Sequence, residues 1–256
     1  MSLLRAVTSS FTLTFRLRVA NPRTYGAVLV QTLVFAVIGL VLLSGGGSHR
    51  TAYALIGGGL SGVWSMLYLG AGGDMLFERL MGTLDQVLGA PTPFMAVVAG
   101  KVGSSLALGV IGFATMLGGG WFLHVLPPID PGPFAVSLAL TLAGFFSLTL
   151  VLAPLFALSR WALSIANGLE VSLFAVCGLM FPTALLPAWL QTVSWLVAPT
   201  WTVRGMYAAA GQPVGRDYAR WWLAACALCL ANLLLAALVM RIADRRMRVT
   251  GQLINP

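Results

Sequence analysis

Apolar runs of about 20 residues, the length a helix needs to cross about 30 Å of hydrocarbon, recur along the chain. Short clusters of glycine, proline and charge separate them. The pattern predicts six spans, over residues 25–43, 52–71, 96–122, 134–158, 162–181 and 219–240. Ahead of the first, residues 1–20 set Leu4, Val7, Phe11 and Phe15 at helical spacing with Arg5, Ser9, Thr12 and Arg16 interleaved. That mixture suits a helix lying in the membrane interface. Asn21-Pro22 then resembles an N-cap with proline at the first helical position. Between the fifth and sixth spans, Pro182, Pro187 and Pro199 break an apolar stretch into pieces too short to cross. Residues 182–199 are therefore expected to form short re-entrant helices, and residues 241–256 a basic tail.

Composition supports the same class. Of 256 residues 59% are hydrophobic and only 9% charged, and the mean hydropathy is +0.91; a water-soluble domain cannot hide that much apolar surface. The expected fold is all-α, one polytopic transmembrane domain over residues 1–256. The net charge of +8 does not call for nucleic acid, because the basic residues flank the spans. An even number of crossings places both termini on one side. Of the 15 basic residues, all but Arg50, Arg204, Arg216 and Arg220 fall on that side, which the positive-inside rule makes cytoplasmic. Cys177, Cys226 and Cys229 lie inside apolar runs without a metal-ligand spacing, so they read as packing residues.

The stretch FERLMGTLDQVLGAPTP, residues 77–93, interrupts this apolar pattern on the cytoplasmic side. Glu78 and Arg79 are expected in solvent, Gly82-Thr83 can break and restart a helix, and Leu84, Val87 and Leu88 form one apolar face before Pro91 and Pro93. By themselves these residues fit either a short amphipathic helix parallel to the membrane or an ordinary interfacial turn.

The run ERLMGTLDQVLGAPTPFMAVVAGK resembles the E-R-x-x-G-T-L-x-x-L-x-x-x-P signature, with a following G-K, of the ABC-2 type transporter permeases. The later stretch NGLEVSLFAVCGLMFPTALLPAWLQTVSWLVAPTWTVRGM is similar to that family's G-x-x-F-P, L-P-x-W-L and P-x-T pattern. Asp85 and Gln86 depart from the commoner residues of the first motif. The resemblance implies that residues 77–90, through Glu78, Arg79, Gly82, Thr83, Leu84 and Leu88, dock on a cytoplasmic ATPase as a coupling helix. It also implies ABC ATPase subunits as partners, with ATP and Mg used there, and a second permease copy or paralogue. Membrane lipids are the surrounding solvent.

The chain's own chemistry is sparse. A phosphate-binding loop needs a glycine-rich turn followed by G-K-S/T, whereas Gly100-Lys101 is followed by Val102 and Met95 replaces the first glycine. LSGGG at 43–47 ends an apolar span and has no nucleotide-binding domain around it. No Ser/His/Asp set or H-E-x-x-H occurs, and His49 and His124 are isolated. The chain is thus expected to be no enzyme and to hold no cofactor or metal.

Glu170 lies near the middle of the fifth span, where an ionised carboxylate costs at least about 2.5 kcal/mol. It fits a contact for a cationic cargo, a proton-carrying site, or a hydrogen-bonded group joining helices beside Asn167; the last is preferred. Asn232 reads as interhelical glue. Trp64, Tyr68, Trp121, Trp161, Trp189, Trp195, Trp201, Trp221 and Trp222 mostly fall near predicted span ends, as interfacial belts do. The expected activity is ATP-powered export of an amphiphilic molecule, drug, antibiotic or lipid across the cytoplasmic membrane. The alternatives are a proton-coupled carrier using Glu170 and a non-transporting scaffold or immunity protein.

Overall fold

The computed structural model describes residues 3–20, 52–82, 93–158 and 172–250, with positions 26, 30, 32–34, 37, 168 and 170. Among these residues the regular elements are all helical. Helix α1 spans Leu3–Val19, α2 spans Gly58–Leu80 and is preceded by a π-helical turn at Tyr53–Gly57, α3 spans Phe94–Phe122, and α4 spans Pro131–Leu158. A 3₁₀ turn at Thr183–Leu185 leads to the short helices α5, Ala188–Trp195, and α6, Ala198–Ala209; α7 spans Tyr218–Thr250.

Four of these helical stretches are long and apolar enough to cross a membrane: Tyr53–Met75, Phe94–Phe122, Pro131–Pro154 and Tyr218–Ala243. They match four of the six expected spans. The other two, 25–43 and 162–181, lie mostly outside the described residues, as do Thr83, Leu84, Leu88, Asn167 and the stretch 43–47. The described part of the fifth span is helical over residues 172–176 and turns at Cys177. This stops short of the expected boundary at 181 because Gly178 adopts φ +71, a left-handed conformation that ends a helix.

The bundle is assembled through close backbone approaches. α3 is its hub, flanked by α1 and α2; α2 also touches α4, α4 packs along α7, and α6 wedges between α4 and α7. A Cβ on Gly100 of α3 would lie 2.7 Å from the Val7 carbonyl oxygen of α1, and one on Gly109 would lie 3.0 Å from Val63 Cα of α2. Small residues at such crossings let helices pack tightly where apolar lipid supplies no hydrophobic drive. Trp64, Tyr68 and Phe145 fill the centre, with ring centroids of Trp64 lying 5.3 Å from Tyr68 and 5.5 Å from Phe145.

That packing corrects the expected aromatic belt: Trp64 and Tyr68 are fully buried core residues of α2. Trp121, Trp189 and Trp195 are exposed, as belt residues would be. Two more boundaries move. α7 continues through the basic tail to Thr250, because residues 241–250 contain no glycine or proline and are rich in arginine, a good helix former. Pro199 starts α6 instead of closing the short-helix region, since proline in the first turn needs no hydrogen-bonded N–H.

α1 lies against the bundle as a separate helix. Its Ser10 hydroxyl donates to the Val97 carbonyl of α3 at 2.9 Å, while Leu4, Leu13 and Leu17 face outward. That apolar outer surface accords with a helix held at a membrane interface.

Candidate functional site

Two clusters gather the residues singled out by sequence. The first closes the end of the bundle that carries α1. α2 runs without interruption through Glu78 and Arg79 to Leu80, and Gly82, at φ +67, ends it in the left-handed conformation. Glycine is suited to that position because it carries no Cβ penalty. Glu78 is less solvated than expected: its carboxylate accepts a hydrogen bond from Lys101 Nζ of α3 in a partly exposed ion pair. The Lys101 backbone carbonyl in turn accepts the Ser104 hydroxyl at 2.8 Å.

A parallel link ties α1 to the same helix. Arg18 Nη2 donates to Asp74 Oδ2 at 2.6 Å and to the Gly70 carbonyl at 2.8 Å, and Arg18 Nη1 donates to Ser105 Oγ of α3. Hydrogen bonds between ionised partners are roughly twice as strong as neutral ones. The last turns of α2 are thus pinned on one side by α1 and on the other by α3. The sequence had placed Arg18 and Lys101 only as orienting charges, and Asp74 had not been singled out.

The second cluster is intramembrane. Glu170 is buried, and its Oε1 accepts the Ser65 hydroxyl of α2. Ser61, Trp64, Ser65 and Tyr68 recur at helical spacing along α2, so the fifth span meets a partly polar face of that helix. Such placement joins helices by a side-chain hydrogen bond. Ser65 carried no sequence signal of its own, because a serine in a glycine-rich span is compatible with either lipid or protein contact.

No group of three or more His, Cys, Asp or Glu with metal-binding geometry occurs among the described residues. The arrangement binds helices to one another.

Together, apolar spanning helices and charge clusters at one end define a multi-pass membrane protein. A sequence profile of the ABC-2 type transporter family matches residues 5–210, and the chain belongs to that family. Its members' membrane domain is the transmembrane subunit of an ABC transporter, which pairs with ATPase subunits. No curated protein matches the chain significantly.

Proposed function

We propose that this chain is the permease subunit of an ABC exporter that moves an amphiphilic small molecule, antibiotic, drug or lipid across the cytoplasmic membrane. Separate ATPase subunits burn the ATP and use the Mg; a second permease copy or paralogue completes the pathway. Both termini and the 77–93 region face the cytoplasm.

The single observation that carries this reading is the way α2 ends. Its last turn bears the E-R of the coupling motif and is continuous with the span that starts beyond Tyr53. Through Lys101–Glu78 and Arg18–Asp74 it is joined to α3 and α1. A docked coupling helix pulled by ATPase closure would therefore displace α1, α2 and α3 together, shifting the membrane bundle between two arrangements. The cargo preference rests on the chain's apolar character.

Inside-out vesicles containing the chain and its ATPase test the proposal. Export should need ATP, stop with vanadate and survive a protonophore. Leu84→Pro should leave the chain inserted and ATP hydrolysis running while export fails. Export indifferent to ATP, or unchanged in Leu84→Pro, overturns it.

A further inference from the structure

At the end of the bundle opposite α1 lies a cavity of about 330 Å³. It sits among the π-helical turn before α2, the Cys177–Gly178 turn, the short helices and the start of α7, and its volume is within the roughly 300–1,000 Å³ usual for small-ligand pockets. Its walls are aromatic: Tyr53 and Tyr207 have ring centroids 4.0 Å apart, Trp221 is buried, and Trp195 stands at the rim, 50% exposed. Arg204 of α6 is the one charged side chain among those lining it.

The state of that arginine is unusual. Its Nη2 donates to Thr183 Oγ1 at 2.8 Å, and its guanidinium carbon lies 5.6 Å from the Trp201 ring centroid. Unlike Arg18 and Lys101, it has no carboxylate partner among the described residues. Burial presses its pKa below the ordinary arginine value, yet a guanidinium remains protonated in proteins. Its remaining N–H donors are not shut away from solvent, so a partly desolvated cation beside an aromatic wall stands open to an anionic group.

The surrounding backbone is built to hold this shape. A Cβ at Gly57 would fall 1.7 Å from the Leu179 carbonyl oxygen, and the same oxygen accepts the Tyr207 hydroxyl at 2.7 Å. The π-turn thus brings Tyr53 against Tyr207 through a contact only glycine permits. Single π-turns inside helices are frequent at functional sites.

We propose that this cavity is a binding site for an anionic amphiphile, with Arg204 holding a phosphate or carboxylate group and the Trp195, Trp221 and Tyr53 rings taking the adjoining apolar part. Arginine suits this task because its planar fork matches two oxygens of either group. The source of the ligand can be a lipid headgroup or a free amphiphile; the chemistry is shared. The site goes beyond ATP-driven transport and needs no ATPase to be occupied, so it can be tested on the purified full-length chain alone.

The probes are dodecyl phosphate and uncharged dodecanol, titrated against the chain in detergent and read by quenching of tryptophan fluorescence. Dodecyl phosphate should bind saturably, at least about tenfold more tightly than dodecanol. Arg204→Gln should erase that preference, and Arg204→Lys should restore part of it. Equal affinity for both probes in the wild-type chain overturns the proposal, as does a folded Arg204→Gln that keeps the preference. Trp195→Ala, at the exposed rim, guards against misfolding of the arginine variants: it should remove much of the quenching, and unchanged quenching counts against this location. Nanodiscs separate the sources. Phosphatidylglycerol retained in native mass spectra of the wild type, absent from Arg204→Gln and displaced by dodecyl phosphate, identifies a lipid headgroup; dodecyl phosphate binding equally well in phosphatidylcholine and phosphatidylglycerol discs identifies a free amphiphile. The permease reading can fail in the vesicle assay while this site stands.

Discussion

Lys101 of α3 reaches across to Glu78 in the last turn of α2 and forms an ion pair at the edge of the bundle. Both side chains are largely shielded, 10% exposed for the lysine and 22% for the glutamate. Removing one partner strands the other in a place with little water, which costs more than the pair contributes when intact. Glu78→Gln and Lys101→Met should each lower stability by about 1–3 kcal/mol, the shared solvent access keeping the loss below that of a fully buried pair. The exchanged double variant, Glu78→Lys with Lys101→Glu, should recover part of it. Thermal unfolding of the detergent-solubilised chain and a double-mutant cycle measure the coupling. A coupling near zero would show that α2 and α3 are joined at this end by packing alone.

α1 depends on a different kind of contact. The Gly100 position leaves no room for a side chain, since a Cβ there would also come within 2.9 Å of the Phe11 backbone nitrogen. Gly100→Val should push α1 off α3, breaking the Ser10–Val97 hydrogen bond, at a cost of about 1–3 kcal/mol. Gly118→Val is a matched control, because open space surrounds its Cβ position. Limited proteolysis should release α1 from the first variant much faster than from the second. Equal rates would mean that the membrane, and not α3, holds the helix in place.

The spans were legible because a crossing helix must be apolar over its length: 96–122 was expected and Phe94–Phe122 is observed. What lies beyond the apolar core obeyed a weaker signal. α2 and α7 run on past the expected limits of 71 and 240: α2 carries Gly72 and Gly73 inside the helix and ends only at the left-handed Gly82, while residues 241–250 of α7 contain no glycine or proline, and hydropathy registers neither end. The pairings were less legible still. Ser65 and Glu170 are 105 positions apart, and Lys101 and Glu78 are 23 apart; no local period links either pair. Glu170 stood out because a carboxylate in a span demands a partner, but only the fold names Ser65. The cavity around Arg204 was illegible for the same reason, being built from several separate segments.

Glu170 separates the transport mechanisms. If its purpose is to accept the Ser65 hydroxyl, the neutral amide of Glu170→Gln preserves an acceptor and should leave export and stability nearly unchanged. Glu170→Ala removes the acceptor and leaves a void beside α2, so it should destabilise the bundle by about 1–3 kcal/mol. ATP-driven export in vesicles, paired with thermal unfolding, reads both quantities. A Glu170→Gln chain that is stable yet unable to transport would assign the carboxylate a proton-carrying or cargo-contacting role instead.

Orientation follows from which end each exposed position occupies. Met81 lies just past α2 at the end that carries Glu78 and α1, and it is 73% exposed; Leu185 lies in the 3₁₀ turn at the cavity end and is 71% exposed. In a cysteine-free background, Leu185→Cys should react with a membrane-impermeant maleimide on intact cells. Met81→Cys should react only after the membrane is opened. The helices alternate in direction, so the two positions must behave oppositely if the bundle spans the bilayer, whichever way it is inserted. Labelling of Met81→Cys alone on intact cells would put the coupling segment outside, where no ATPase could reach it, and the permease reading would fail at that step. Labelling of Leu185→Cys alone would place the basic end inside, in agreement with the charge distribution, and would put Arg204 where an amphiphile arriving from the outer leaflet can meet it.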